Sequence, residues 1–178
     1  DTHNWRIQKL SPTGEPLWAK GEPGYVLGKF GRPRGIRVGP DGIVYVVDGA
    51  TEIVQMFDSE GKVLMRFGGP GQSPGSLGLP STLAIDTTSI PYFEPYIHKS
   101  FEVKYLLFVA SQYGGRLINV YAFGAFPPGF KLNESEIQSI EAVPINEGIG
   151  PVQGDETPRD LAIPPQPRPD DEATPETP

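Results

Sequence analysis

A period of forty-seven residues limits what this chain can fold into more than any other feature of it. Laid over itself at that offset, RIQKLSPTGEPLWAKGEPGYVLGKFGRP falls on IVQMFDSEGKVLMRFGGPGQSPGSLGLP without a gap. Gln8 meets Gln55, Leu17 meets Leu64 and Pro23 meets Pro70. Gly14, Gly21, Gly24, Gly28 and Gly31 meet Gly61, Gly68, Gly71, Gly75 and Gly78, and Pro33 meets Pro80. The matched residues are mostly turn formers, so the repeat preserves the places where the chain reverses. A period of this length belongs to solenoid units and propeller blades.

The unit reads as short strands. IVYVVD (43–48) is apolar and β-branched throughout, as expected of a strand buried on both faces. IVQMFD (53–58) and KVLMRFG (62–68) flank a DSEG turn with Gly last, and GIRVGPDGIVYVVD holds a second hairpin around PDG. The expected strands are 35–39, 43–48, 53–58 and 63–68, four antiparallel strands in one unit, which favours a propeller blade over a β-helix rung. Residues 6–10 and 16–20 match the third and fourth strands of a unit lacking its first two. A further unit starts at STLAID (81–86) and resumes after an insertion with YLLFVA (105–110) and RLINVYAF (116–123); FKL near 130 is the candidate for its fourth strand.

The stretch FGRPRGIRVGPDGIVYVVDGATEIVQMFDSEGKVLMRFG resembles an NHL repeat. Phe30, Pro33, Gly35, Ile36, Asp41, Gly42, Tyr45, Val46, Asp48, Phe57, Asp58 and Gly61 all fall where that family's pattern places such residues. The resemblance covers residues 5 to 123 and implies an all-β fold: a partial NHL-type β-propeller of two to three blades with an extended Pro-rich C-terminal tail. It is nearly silent on activity, because propellers host many functions. A narrower segment, SIPYFEPYIHKSFEVKYLLFVASQYGGRLINVYAFG, is similar to part of the secreted NHL-repeat proteins that accompany multihaem c-type cytochromes in extracellular electron transfer. That similarity implies a secreted, non-enzymatic partner of such cytochromes, with haem in the partner subunit.

Composition agrees with turns and short strands. Gly 22 and Pro 21 make up about a quarter of the 178 residues, against roughly 12% in an average protein, and both disfavour helix interiors. The net charge of −7 argues against a nucleic-acid partner, whose phosphates require a basic face. The longest apolar run, Tyr105 to Ala110, is too short to span a membrane. Without Cys this chain holds no disulfide, no thiolate metal site and no covalently attached c-type haem. Its start at Asp1 reads as a mature terminus left by signal removal, hence an extracellular or periplasmic location, with an arbitrary boundary as the alternative.

The organisation expected is a partial propeller over 1–123 with an insertion at 87–104, a transition segment over 124–150 and a Pro-rich acidic tail over 151–178. The insertion carries Tyr92, Phe93, Tyr96, His98 and Phe101. Loops on a propeller face often bind, and aromatic side chains provide contact area at low entropy cost, so these residues are candidates for a protein interface; the alternatives are that they cover a gap in the chain's own core or form a small-molecule site. From Pro151 onward, eight of 28 residues are Pro and acids outnumber bases by seven to two. Such a tail favours disorder or polyproline II unless a neighbour holds it, and Pro164, Pro165 and Pro167 are its candidate partner contacts.

Enzyme chemistry finds little support. Hydrolytic propellers gather His and acids round a central metal, whereas this chain has His3 and His98 only. Asp41, Asp48, Asp58 and Asp86 end strands or sit in turns, where Asp is favoured for backbone hydrogen bonds. GGPGQSPGSLG (68–78) lacks the ending of a phosphate loop. About nine strands are expected in all, whereas a closed propeller of at least four blades needs about sixteen. Unpaired edges invite strands from other chains, so the expectation is a fold completed by self-association or by a complementing chain. The alternatives are a haem-free self-assembling fibre or surface protein and a truncated propeller hydrolase or lyase.

Overall fold

A computed structural model describes residues 1–131 and 133, all within a compact unit spanning Asp1–Ile137. The described chain is all-β, with nine strands in three antiparallel sheets. The first sheet is a hairpin of β1 (Ile7–Leu10) and β2 (Pro16–Lys20). The second is four-stranded, in the order β3 (Pro33–Val38), β4 (Val44–Asp48), β5 (Ile53–Phe57) and β6 (Val63–Gly68). The third holds β7 (Pro80–Asp86), β8 (Glu102–Ser111) and β9 (Ile118–Ala125). Within each sheet, chain neighbours are also sheet neighbours.

The strands stand where the apolar runs and turn residues place them, and the local causes are visible. β4 and β5 are buried at every position. Between β3 and β4 the Gly42 amide donates to Gly39 O at 3.0 Å. Between β5 and β6, Asp58 Oδ1 accepts from the amides of Glu60 at 3.0 Å and Lys62 at 2.8 Å, and Gly61 supplies the left-handed residue at φ 75°.

The forty-seven-residue period is geometric as well as sequential. Gly14 and Gly61 have φ of 89° and 75°, Gly28 and Gly75 of 86° and 82°, and even Trp5 and Glu52 share a left-handed φ of 48° and 57°. The loops joining the sheets share hydrogen bonds one period apart: Lys29 N donates to Val26 O and Ser76 N to Ser73 O, each at 3.0 Å. Phe30 N donates to Glu22 O at 2.9 Å, and one period later Leu77 N donates to Gly69 O at 2.8 Å. Each loop thereby drives one apolar side chain, Phe30 or Leu77, out of solvent.

Two cores result. Ile7 and Phe30 pack with Val44, Val46 and Phe57 between the first and second sheets. Tyr45, Val47, Val54 and Met56 meet Leu77, Leu83, Tyr105, Leu107 and Val109 between the second and third. Each such fully buried side chain contributes about 1.5–3 kcal/mol. The second sheet therefore meets another sheet on both faces, while the outer two meet a sheet on one.

Two sequence expectations are adjusted. Residues 126–131 carry no strand, so Phe130 and Lys131 of the FKL candidate lie in none, and Leu132 falls outside the described residues. Pro127 and Pro128 remove two ladder donors, and Phe130 N closes a turn onto Pro127 O at 3.0 Å. The strand after the insertion begins at Glu102 rather than at 105, because Glu102 and Val103 at the start of β8 pair with Ala125 and Gly124. Residues 132 and 134–178 lie outside the described residues, and with them Pro164, Pro165, Pro167, the tail and, but for Asn133, the stretch NESEIQSIEAV (133–143), whose sequence suits a short helix or an edge strand.

Candidate interface at the insertion

The insertion opens on Asp86, the last residue of β7. Its carboxylate accepts from Ser89 N at 2.7 Å and from Thr88 N and Oγ1 at 3.0 and 2.7 Å. These bonds, those from Ser89 first, hold the carboxyl far below the ordinary Asp range. The turn launches a short helix, α1 (Ile90–Phe93), with Pro in its first turn, followed by a single 3₁₀ turn at Glu94–Tyr96.

The five candidate side chains divide into two sets. Tyr92 and Tyr96 project into solvent, 81% and 72% exposed. Phe93 instead turns inward, its ring 5.7 Å from that of Phe108 on β8 at 78°. His98 and Phe101 join a second aromatic group that composition alone did not assemble. His98 lies 5.6 Å from Phe126 and 5.2 Å from Phe130, Phe101 lies 4.8 Å from Phe126, and the Phe126 and Phe130 rings stack at 4.4 Å. His98 Nδ1 accepts from Ser100 N at 3.1 Å, which orients the imidazole. The Phe-Pro-Pro-Gly-Phe spacing at 126–130 was the available signal for this pair, since a Pro-Gly turn returns the second ring over the first.

An open cavity of about 500 Å³ lies beside these rings, lined by Ile90, Glu94, Ile97, His98, Lys99, Phe101 and Val103. Its walls are mixed: one carboxylate, one ammonium and an imidazole on an apolar floor. Among the described residues no three His, Asp or Glu side chains gather as a metal-ligand set. Also among them, no helix is long and apolar enough to cross a membrane.

The four aspartates act as turn and strand-end acceptors. Asp48 is the most deeply used. It is fully buried, and its carboxylate accepts from Gly31 N and Arg32 N at 2.7 Å each and from Ala50 N at 3.0 Å. Gln55, also fully buried, holds the same loop: it accepts from Gly28 N at 2.8 Å and donates to Lys29 O at 2.7 Å. Together they fix the segment that inserts Phe30. In the third sheet, Ser111 Oγ accepts from Gly78 N at 3.2 Å and Asn119 donates to Ser76 O at 3.1 Å, the same arrangement with smaller groups. No protein-family model matches the chain, and no curated protein matches it.

Proposed function

We propose that this chain is a non-catalytic, secreted interaction subunit of NHL-propeller type, which completes its fold with neighbouring chains and docks on a multihaem c-type cytochrome. The observation that carries the reading is the division within the insertion. Phe93 is anchored on Phe108, while Tyr92 beside it in α1 and Tyr96 in the 3₁₀ turn that follows stand exposed. A rigid base with exposed tyrosines is how interface hot spots are built, because two-torsion aromatic side chains lose little entropy on contact. The similarity of residues 89–124 to cytochrome-associated NHL proteins supplies the partner class, and the haem belongs to that partner.

The test is a binding titration against a purified extracellular multihaem c-type cytochrome, followed by a native preparation examined for the haem Soret band. Tyr92→Ala with Tyr96→Ala is expected to weaken binding at least tenfold while leaving the melting temperature unchanged. A native assembly free of haem, or full binding by the double variant, overturns the reading. The open outer faces of the first and third sheets favour a second reading, a haem-free self-assembling extracellular fibre, which the same Soret measurement separates from the first.

A further inference from the structure

The three sheets pack in one sense. Each has a front, which meets the next sheet in the chain, and a back, which meets the previous one. The front of the first sheet carries Ile7 against the back of the second, with Val44, Val46 and Phe57. The front of the second carries Val54 and Met56 against the back of the third, with Leu83, Tyr105 and Val109. Ile7 and Val54 are one period apart, so the same position is used twice for the same purpose.

The period also tells which exposed residues stand at interface positions. On the back of the first sheet, Leu10 is 53% exposed, whereas Phe57, its mate one period on, is fully buried. Gln8 is exposed, whereas its mate Gln55 is fully buried and grips a loop. On the third sheet, Asn119 takes the place of Gln55, since both donate to loop carbonyls one period apart, Ser76 O and Lys29 O. Ile118 and Val120 then correspond to Val54 and Met56 on the front. They are 64% and 37% exposed, where Val54 and Met56 are buried. The insertion covers Phe108 on that front through Phe93 and leaves Ile118 and Val120 open. A front without a following back and a back without a preceding front therefore stand at the two ends of one chain.

We infer that a second copy of this chain covers both: the front of its third sheet seats on the back of the first sheet here, and the reverse contact closes the ring. This deepens the proposed fold completion between chains by naming its partner and its faces. The contact continues an interface the molecule already makes twice, front on back, and so is head-to-tail rather than a patch meeting itself. The copy number follows from the sheet count. Propellers close with about four to eight blades. Among multiples of three sheets only two copies, giving six, fall in that range.

The full chain has no Cys, so single introduced thiols report without background. Leu10→Cys and Val120→Cys place thiols on the two open faces, where a lone chain tolerates them. A short bis-maleimide is expected to link a mixture of the two variants into a covalent dimer and to leave each variant alone unlinked. Light scattering is expected to give twice 19.3 kDa for the native chain and 19.3 kDa for Leu10→Asp or Val120→Asp, with unchanged far-ultraviolet dichroism. A native mass of 19.3 kDa at every concentration, a ladder of higher multiples, or linkage of Leu10→Cys with itself each overturns the inference. Cytochrome binding by Leu10→Asp separates the two ideas: if the ring fails but this variant still binds through Tyr92 and Tyr96, only the ring is lost.

Discussion

Tyr105 donates its hydroxyl proton to Asp41 at 3.0 Å, so the turn between β3 and β4 is tied to the middle strand of the neighbouring sheet. The same hydroxyl lies 2.8 Å from that of Tyr45. The two tyrosine rings meet edge to face at 6.3 Å, and Phe123 stacks on Tyr105 at 4.8 Å. Tyr105→Phe keeps the rings and removes the bridge. Asp41 is exposed and regains water, whereas the buried Tyr45 hydroxyl loses its partner, so the expected cost is about 1–2 kcal/mol. Denaturant unfolding at constant slope measures it. Tyr45→Phe is expected to cost less, because the Tyr105 hydroxyl keeps its bond to Asp41, and the double variant less than the sum, because the two share one bond. Strict additivity would show that the hydroxyls do not interact.

Alkaline pH probes the same cluster. Burial pushes the Tyr45 and Tyr121 phenols up to about 12, and pushes Tyr105 further, with the hydrogen bonds from Tyr45 and Asp41 adding to it. A raised folded-state value means that the unfolded chain ionises first. The stabilisation is complete below pH 10, the unfolded value, and drains away as pH rises through about 12. Unfolding free energy measured from pH 9 to 12 is expected to fall across that window. Phenolate absorbance from these three residues should appear together with loss of the fold. A flat stability profile to pH 12 would contradict the burial of the hydroxyls.

The strand order was legible because turn formers and β-branched runs alternate at a fixed period, and each DSEG or PDG turn has only one good way to close. The insertion was legible as an interruption of that period, but its division into exposed and anchored aromatics was not. Phe93 and Tyr92 are adjacent in sequence, and only the angle of one helical turn sends the first onto Phe108. The role of Asp48 was half visible. Its turn preference predicts a bond to Ala50, but the bonds to Gly31 and Arg32 cross between segments and depend on the docking of a whole loop. Gln55 carried a clearer signal in its match with Gln8, since a polar residue kept inside an apolar strand at one period has a partner to satisfy.

That match yields a paired experiment. Gln55→Leu leaves the Gly28 amide and the Lys29 carbonyl without their partner in a part-buried site, at a cost of about 1–3 kcal/mol. Gln8→Leu in the dissociated chain removes an exposed side chain, and the change should stay within about 0.5 kcal/mol. Thermal melts of both variants in the Leu10→Asp background give the comparison. Equal losses would mean that the loop grip contributes nothing to the difference between the two positions.

Asp86 makes the insertion sensitive to acid. Its folded-state carboxyl titrates far below the ordinary value because Ser89 and Thr88 hydrogen bond to the anion. The order it supports is therefore present above the unfolded value of about 3.8 and is lost only as pH falls through the lower folded value. A carboxyl-carbon NMR titration is expected to place the Asp86 inflection well below pH 3.8, and amide exchange at Thr88 and Ser89 to quicken only in that range. An inflection at the ordinary Asp value would remove the turn as the start of the insertion.

Gly35 and Gly42 separate two uses of glycine within one hairpin. Gly42 has φ +82° with open space around it, so Gly42→Ala meets only backbone strain, about 1 kcal/mol. Gly35 sits in β3 outside the left-handed region, but a Cβ there would stand 2.7 Å from Thr82 Cα and 3.1 Å from Ser81 O on β7. Those are backbone atoms of the next sheet and cannot rotate away. Gly35→Ala must therefore push β3 from β7, at about 1–3 kcal/mol. The two costs overlap in size, so the deciding readout is where the strain lands. Amide exchange in β7 and β8 is expected to rise in Gly35→Ala and to stay at the native level in Gly42→Ala, whose strain ends at its own turn. Raised exchange confined to the β3–β4 turn in both variants would mean that the first strands of adjacent sheets are not in backbone contact.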